Sequence, residues 1–201
     1  MRAAEAKRPE VAAERRIWIA KRQPFMANLL TRIGFIDETS LKTNMAKTTG
    51  WSPKGERLVD LAPFGSWATQ TFFAALRHDR LDAPWVIDGP INRALFDLYV
   101  ETRLAPSLQQ GDVIILDNLS VHKSPKASAI LRDIGCWFLP LPPYSPDLNP
   151  IEMAFAKLKA LLRKAAARTY DDLWKAVGHV CDLFTENECL NYFIAAGYKP
   201  E

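Results

Sequence analysis

Gly111-Asp112-Val113-Ile114-Ile115-Leu116-Asp117-Asn118 holds an unbroken apolar run, closed on both sides by turn-forming residues. Four residues with three of them β-branched, and no polar position among them, read as a strand buried on both faces, as in a parallel sheet covered by helices. Ahead of it, Ile33-Gly34-Phe35-Ile36-Asp37 reads as a first strand closed by an acid. Between the two, Trp51-Ser52-Pro53-Lys54-Gly55 is turn chemistry. Strands are expected near 57–62 and 69–76, and again at Trp85-Val86-Ile87-Asp88, which Gly89-Pro90 closes.

The helical signals lie mainly on the carboxyl side. Leu95, Leu98, Tyr99 and Thr102 step by three and four residues, which predicts a helix over 91–104 with that stripe inward. A helix near 126–133 leads through Gly135 to a strand at 136–141. The prolines of Pro142-Pro143-Tyr144-Ser145-Pro146 remove amide donors and fix φ, which excludes regular structure there. Ile151, Ala154, Phe155, Leu158 and Leu162 then mark an amphipathic helix. Thr169 with Asp172 and Thr185 with Glu188 announce two more, and Gly197 ends the last. The class is therefore α/β: a central mixed β-sheet flanked by helices, with a helical C-terminal flank. Residues 1–30 form a basic, partly helical lead-in anchored by Val11, Ile17, Trp18 and Phe25, and residues 31–201 form the main domain.

Composition narrows the class. A length of 201 residues fits one domain, 48% hydrophobic and 24% charged residues fit a globular one, and a net charge of +3 permits nucleic-acid binding without demanding it. Three cysteines with no C-x-x-C pair argue against a disulfide scaffold or a thiolate zinc site. Residues 1–22 carry seven Lys/Arg and lack an apolar core, so no secretory signal is expected. The absence of a run of ~18 apolar residues predicts no membrane span and a soluble, cytoplasmic protein.

Three acids stand out by position. Asp37 and Asp117 each close an expected strand, and Glu152 heads the helix after the proline-rich turn. Ligands of open α/β sheets gather beyond the carboxyl ends of strands, so one crevice could receive all three. Three uncompensated carboxylates repel, and a hard divalent cation removes the conflict; oxygen donors without thiolates favour Mg²⁺ or Mn²⁺. The plain alternative is structural. Strand-end aspartates are common turn residues, and Asn149, Pro150 and Glu152 fit a capping box in which Glu152 bonds back to the Asn149 amide. Spacing alone leaves both readings open.

The surrounding words resemble a family. Ile36-Asp37-Glu38-Thr39, Lys42-Thr43-Asn44-Met45 and Gly50-Trp51-Ser52-Pro53-Lys54-Gly55-Glu56-Arg57 are similar to the first catalytic block of bacterial insertion-sequence transposases of the mariner superfamily, the DDE endonucleases. Asp88-Gly89-Pro90-Ile91-Asn92 fits the stretch between blocks, and Leu116-Asp117-Asn118-Leu119-Ser120-Val121-His122-Lys123 resembles the second. Pro143-Tyr144-Ser145-Pro146-Asp147-Leu148-Asn149-Pro150-Ile151-Glu152 resembles the third, and thirty-four residues separate Asp117 from Glu152, the superfamily's spacing. The resemblance implies an RNase H-like fold with Asp37, Asp117 and Glu152 as the catalytic, metal-binding triad. It further implies two Mg²⁺ or Mn²⁺ ions, hydrolysis of phosphodiesters at element ends, and attack of the freed 3′-hydroxyl on target DNA.

Further residues follow from these. Asn118 and Asn149 are expected to orient the triad or its waters, and His122 to meet a scissile phosphate or else sit on a surface loop. Glu38 points away from Asp37 on an alternating strand and stays outside the triad. His78 and His179 read as ordinary surface or helix residues. Lys157, Lys159, Arg163, Lys164 and Arg168, with no acid over 153–170, form either a solvated helix face or a DNA-backbone contact; Lys42, Lys47, Lys54 and Arg57 are weaker candidates. Double-stranded DNA, from element ends and target, is the expected partner, with a homodimer as the acting form. Relatives carry helix-turn-helix modules ahead of the catalytic domain, and the thirty-six residues before Asp37 are too few for a pair of them. A separately encoded DNA-reading half or a truncated remnant is expected. The alternatives are a non-catalytic DNA-binding remnant or regulator, and an RNase H-like nuclease that cuts without joining.

Overall fold

The computed structural model describes residues 4–46, 49–59, 61 and 69–199. Strands β1 (Ile33–Lys42), β2 (Thr69–Leu76) and β3 (Leu81–Asp88) form an antiparallel meander, and β4 (Val113–Leu116) and β5 (Trp137–Pro140) add in parallel beside β1. The sheet order is β3-β2-β1-β4-β5. Helices are α1 (Pro9–Ile17), α2 (Gln23–Ala27), α3 (Arg93–Tyr99), α4 (Pro125–Asp133), α5 (Ile151–Ala165), α6 (Tyr170–Cys181) and α7 (Glu186–Ala195). A π-helical turn, Trp18–Arg22, joins α1 to α2, and another, Val100–Leu104, extends α3.

Period-two alternation distributes the strands between two cores. Phe35, Leu41, Phe72, Ala74 and Ile115 face a cluster completed by Phe155 and Leu158 of α5, Leu173 of α6 and Phe193 of α7. Ile36, Phe73, Ala75, Ile114 and Leu116 face a second cluster with Phe96 and Tyr99 of α3 and Leu131 of α4. Burial on both faces is why β4 has no polar position. Edge-on aromatic contacts, Phe35 with Phe193 at 5.3 Å and Phe72 with Phe155 at 5.9 Å, lock the carboxyl-terminal helices onto the sheet.

The lead-in belongs to the first core. Trp18, Met26 and Leu30 are buried in it, and Trp18 Nε1 donates to Tyr198 Oη at 3.0 Å. Of the four expected anchors, Val11 and Trp18 are buried, whereas Ile17 and Phe25 face out, Phe25 at 68% exposure.

Several local expectations need correction. The strand expected over 57–62 does not form: Arg57, Leu58, Val59 and Leu61 are irregular, and the other two positions lie outside the described residues. Both lateral edges of β1 are already taken, by β2 and β4, so that segment cannot pair with the strand it follows. The inward stripe of α3 and its extension is Phe96, Tyr99, Val100 and Leu104, with Leu95 half-buried against the same core, so Tyr99 and Leu95 face in as expected but Leu98 and Thr102 do not. Leu98 is exposed, and Thr102 turns back to the Leu98 carbonyl. Asp37 is not a strand-end residue, because pairing with β2 carries β1 on from Asp37↔Ala74 to Lys42↔Thr69.

Candidate active site

Phe35 of β1 stands opposite Ile115 of β4 in parallel register. Two residues farther along each strand come Asp37 and Asp117, so the register itself sets them side by side, on the face that α5 covers. The turn at Pro142–Pro146 then returns the chain to that face and starts α5, with Glu152 in its first turn. Asp37, Asp117, Asn118, Tyr144, Asn149 and Glu152 all line one cavity of about 390 Å³.

The loop that carries Asn149 and Glu152 is held from three sides. Arg15 of α1 forks onto Asp147, with N···O distances of 2.8 and 2.6 Å. Tyr198 Oη donates to the Leu148 carbonyl at 3.0 Å. Ser145 is buried and bonds the Pro143 carbonyl. Tyr144 is left half-exposed at the cavity rim with a left-handed φ of 52°, and the Arg8 guanidinium lies 5.4 Å from its ring centroid.

Asp37 is 9% exposed. Its Oδ1 accepts the Glu38 backbone N–H at 2.8 Å, and its Oδ2 accepts Asn149 Nδ2 at 2.9 Å. Burial above all, then the charges of Glu38, Asp117 and Glu152, hold its carboxyl well above the usual range. Glu152 is raised too, by desolvation and by Asp117, against the opposing pull of Lys159. The three acids therefore sense one another across the cavity. Among the described residues no three His, Cys, Asp or Glu side chains are gathered into a ready-made ion cage.

The capping box that was the structural alternative at α5 is absent. The Glu152 amide bonds the Asn149 carbonyl at 3.3 Å, but no side chain caps the helix, and Asn149 Nδ2 donates to Asp37. The Asn149 side chain is instead aimed at the buried Asp37 carboxylate, which needs a donor where a helix N-terminus would need an acceptor. Asn149 Oδ1 is buried without a partner. An orphaned amide oxygen beside three carboxylates, with no thiolate and no imidazole on the cavity wall, is a donor set that fits Mg²⁺ or Mn²⁺.

His122 is not a surface histidine, and it does not line the cavity shared by the three acids. It is buried at 4% exposure, with Nδ1 2.6 Å from Asp117 Oδ1 and Nε2 2.9 Å from Glu38 Oε2. Two carboxylate partners push its pKa up to about 9 despite the opposing effect of burial. Glu38 does point away from Asp37, yet its partner lies 84 residues on, a link with no local signature. His179 is exposed on α6, and His78 is half-buried beside Asp79.

The basic residues beyond Glu152 divide. Lys157 turns inward: its Nζ bonds Glu188 and the Leu183 carbonyl, and it lies 4.4 Å from the Phe184 ring centroid, so it is not a free cation. Arg168 bonds the carbonyls of Thr43 and Met45 after β1. Lys159 sits two turns along α5 from Glu152 and is coupled to it, with its own pKa lowered by desolvation and by Arg163. Arg163 is half-buried and Lys164 exposed. Lys42 and Arg57 are exposed, as is Lys54 in the turn closed by Gly55 at φ 93°; Lys47 lies outside the described residues.

No helix among the described residues is long and apolar enough to cross a membrane. A search of curated proteins returns no significant match. Solved structures do match in fold. A Mos1 transposase paired-end complex with the left transposon end superposes with a TM-score of 0.75 at 14% identity, over 94% of this chain and 60% of that one. A Mos1 mariner paired-end complex with Mn gives 0.72 at 16% identity, again over 94% and 60%. The Mos1 transposase catalytic domain with raltegravir and Mg gives 0.59 at 14% identity, over 92% and 90%. The chain thus spans about 60% of the longer Mos1 chains, and the likeness establishes the RNase H-like fold. The sequence profile of the DDE superfamily endonucleases matches residues 32–174, and by that match, over well more than half its length, the chain belongs to that family.

Proposed function

We propose that this chain is the catalytic domain of a mariner-superfamily transposase of the bacterial insertion-sequence kind. It would cleave DNA phosphodiesters at element ends and transfer the freed 3′-hydroxyl into target DNA. The observation that carries the reading is the convergence of Asp37, Asp117 and Glu152 on one cavity, where burial and the neighbouring carboxylates push Asp37 and Glu152 toward protonation.

Asp37, Asp117 and Glu152 are the residues that would hold two Mg²⁺ or Mn²⁺ ions, whose charge would activate the attacking hydroxyl and stabilise the leaving oxygen. The chain's own contribution is positional. Asn149 and the Glu38 amide fix both oxygens of Asp37. Asn118 borders the same cavity and would orient Asp117 or a water. No protein group needs to bond covalently to phosphorus, so charge and alignment supply the rate.

Lys159, Arg163 and Lys164, on the helix that begins at Glu152, are the DNA-backbone contacts in this reading, with Arg168 bracing the loop after β1 and Lys157 serving structure. Residues 31–201 form the catalytic domain, and 1–30 brace it. A homodimer is supported by large apolar side chains left outside on the β1–β2 connection, Trp51 at 97% and Val59 at 78% exposure. The Mos1 complexes are paired-end assemblies with transposon DNA, which supports double-stranded DNA as partner; a separately encoded helix-turn-helix half would supply end recognition. The protein would act in the cytoplasm at the nucleoid.

The test is a plasmid assay with Mg²⁺ or Mn²⁺, scored for nicking and for joining of a pre-cut 3′-hydroxyl end. Nicking and joining that vanish with Asp37→Asn, Asp117→Asn or Glu152→Gln support the reading. Nicking without joining points to a nuclease. Salt-sensitive binding without either activity, unchanged by these substitutions, points to a DNA-binding remnant.

A further inference from the structure

We infer that Glu38, acting through His122, is a positioning residue for Asp117 and so for the metal centre proposed above, on which this inference rests. The geometry forms a continuous chain. The Glu38 backbone N–H holds Asp37 Oδ1 at 2.8 Å, and the Glu38 carboxylate lies 2.9 Å from His122 Nε2. His122 Nδ1 in turn lies 2.6 Å from Asp117 Oδ1, which also accepts the Leu119 amide at 3.1 Å. One residue of β1 therefore grips both acids, the first through its main chain and the second through an imidazole lever.

The lever is built to be rigid. The His122 side chain is 1% exposed, and its ring lies 4.9 Å from that of Phe96. Ionised carboxylates only accept hydrogen bonds, so a ring between two of them satisfies both by donating from both nitrogens. With Oδ1 of Asp117 occupied by two donors, its Oδ2 remains for the cavity. Partners behind a metal-binding carboxylate commonly govern affinity by holding it in one orientation, and their loss typically lowers affinity 10- to 100-fold.

Electrostatics and positioning predict opposite outcomes at His122. Removing a cationic ring beside a cation site should tighten binding by charge alone, whereas losing the lever should loosen it. The experiment titrates Mn²⁺ into the metal-free protein and reads free Mn²⁺ by electron paramagnetic resonance. It compares the unsubstituted chain with His122→Phe, Glu38→Ala, Glu38→Gln, the pair Glu38→Ala/His122→Phe, and Asp117→Asn. Phenylalanine fills the buried ring's place, and circular dichroism checks that each variant is folded.

The expected result is weakening of about 10-fold or more for His122→Phe and Glu38→Ala. The pair should be no weaker than either alone, because both break one chain. Glu38→Gln, which keeps an acceptor for Nε2, should stay within about 3-fold of the parent. Histidine-¹⁵N spectra of the metal-free protein should show two bonded ring N–H protons for His122, one of which disappears in Glu38→Ala. Unchanged or tighter Mn²⁺ binding in His122→Phe, or additive losses in the pair, would overturn the lever while leaving the metal centre intact. If the parent binds no Mn²⁺, or Asp117→Asn binds as well as the parent, the metal centre itself fails and the lever with it.

Discussion

Asn149 donates its side-chain amide to Asp37 Oδ2 at 2.9 Å, across 112 residues of sequence. That bond joins the middle of β1 to the turn before α5, and it brings the first and third acids to one wall. It also explains why Asp37 tolerates burial without an opposite charge: both of its oxygens are hydrogen-bonded, yet three neighbouring carboxylates still push its protonation up.

Asp37→Asn should therefore stabilise the metal-free protein. The substitution removes a desolvated charge, and the unpartnered Asn149 Oδ1 can serve the new amide after a flip of the Asn149 side chain. A gain of about 1 kcal/mol corresponds to a melting temperature ~2–4 °C higher in a chain of this size. The same variant should lose the further upward shift that Mg²⁺ gives the parent. Calorimetric scans with EDTA and with Mg²⁺ check both halves.

The pH dependence of the metal-free protein should fall toward the alkaline side. His122 is raised from 6.5 to about 9, so its stabilising charge is fully present below the unfolded value and is lost as pH rises through about 9. Asp37, also raised, acts in the same sense, its contribution being lost as pH rises from the ordinary carboxylate range through its elevated folded value. Thermal melts in EDTA should decline between pH 6.5 and 9, and His122→Phe should flatten that decline.

Lys157 and Lys159 should respond in opposite ways. Lys159→Gln is expected to weaken binding to any duplex and to reduce the salt dependence by about one unit in log–log slope. Lys157→Met should leave duplex affinity within about 2-fold of the parent, because its ammonium is already engaged by Glu188 and the Leu183 carbonyl. It should instead lower stability by about 1 kcal/mol, the usual scale for a partly exposed charged contact. Fluorescence anisotropy over a salt series and urea melts separate the two.

What could be read before the structure was what short range controls. The apolar run at Val113–Leu116 and the five inward residues of α5 fall where periodicity puts them, and Thr169 and Thr185 cap α6 and α7 as expected. The true length of β1 was hidden because its second half is held by pairing with β2, and no residue in it marks an end. Three acids on one crevice could be inferred from topology. The bond from Asn149 Nδ2 to Asp37 could not, since the partner is a buried carboxylate 112 residues away and the local pattern points only to a cap. Strand alternation turns Glu38 away from Asp37, as the structure shows, but its bond to His122 has no trace in local spacing.

The decisive measurement is anomalous diffraction at the manganese edge from crystals of the chain soaked in Mn²⁺. Peaks in contact with Asp37, Asp117 and Glu152, absent from Asp117→Asn crystals grown and soaked identically, are the expected result. Well-occupied manganese elsewhere with none at these carboxylates, or an unchanged peak in the Asp117→Asn crystal, would contradict a metal-dependent nuclease centre in this fold.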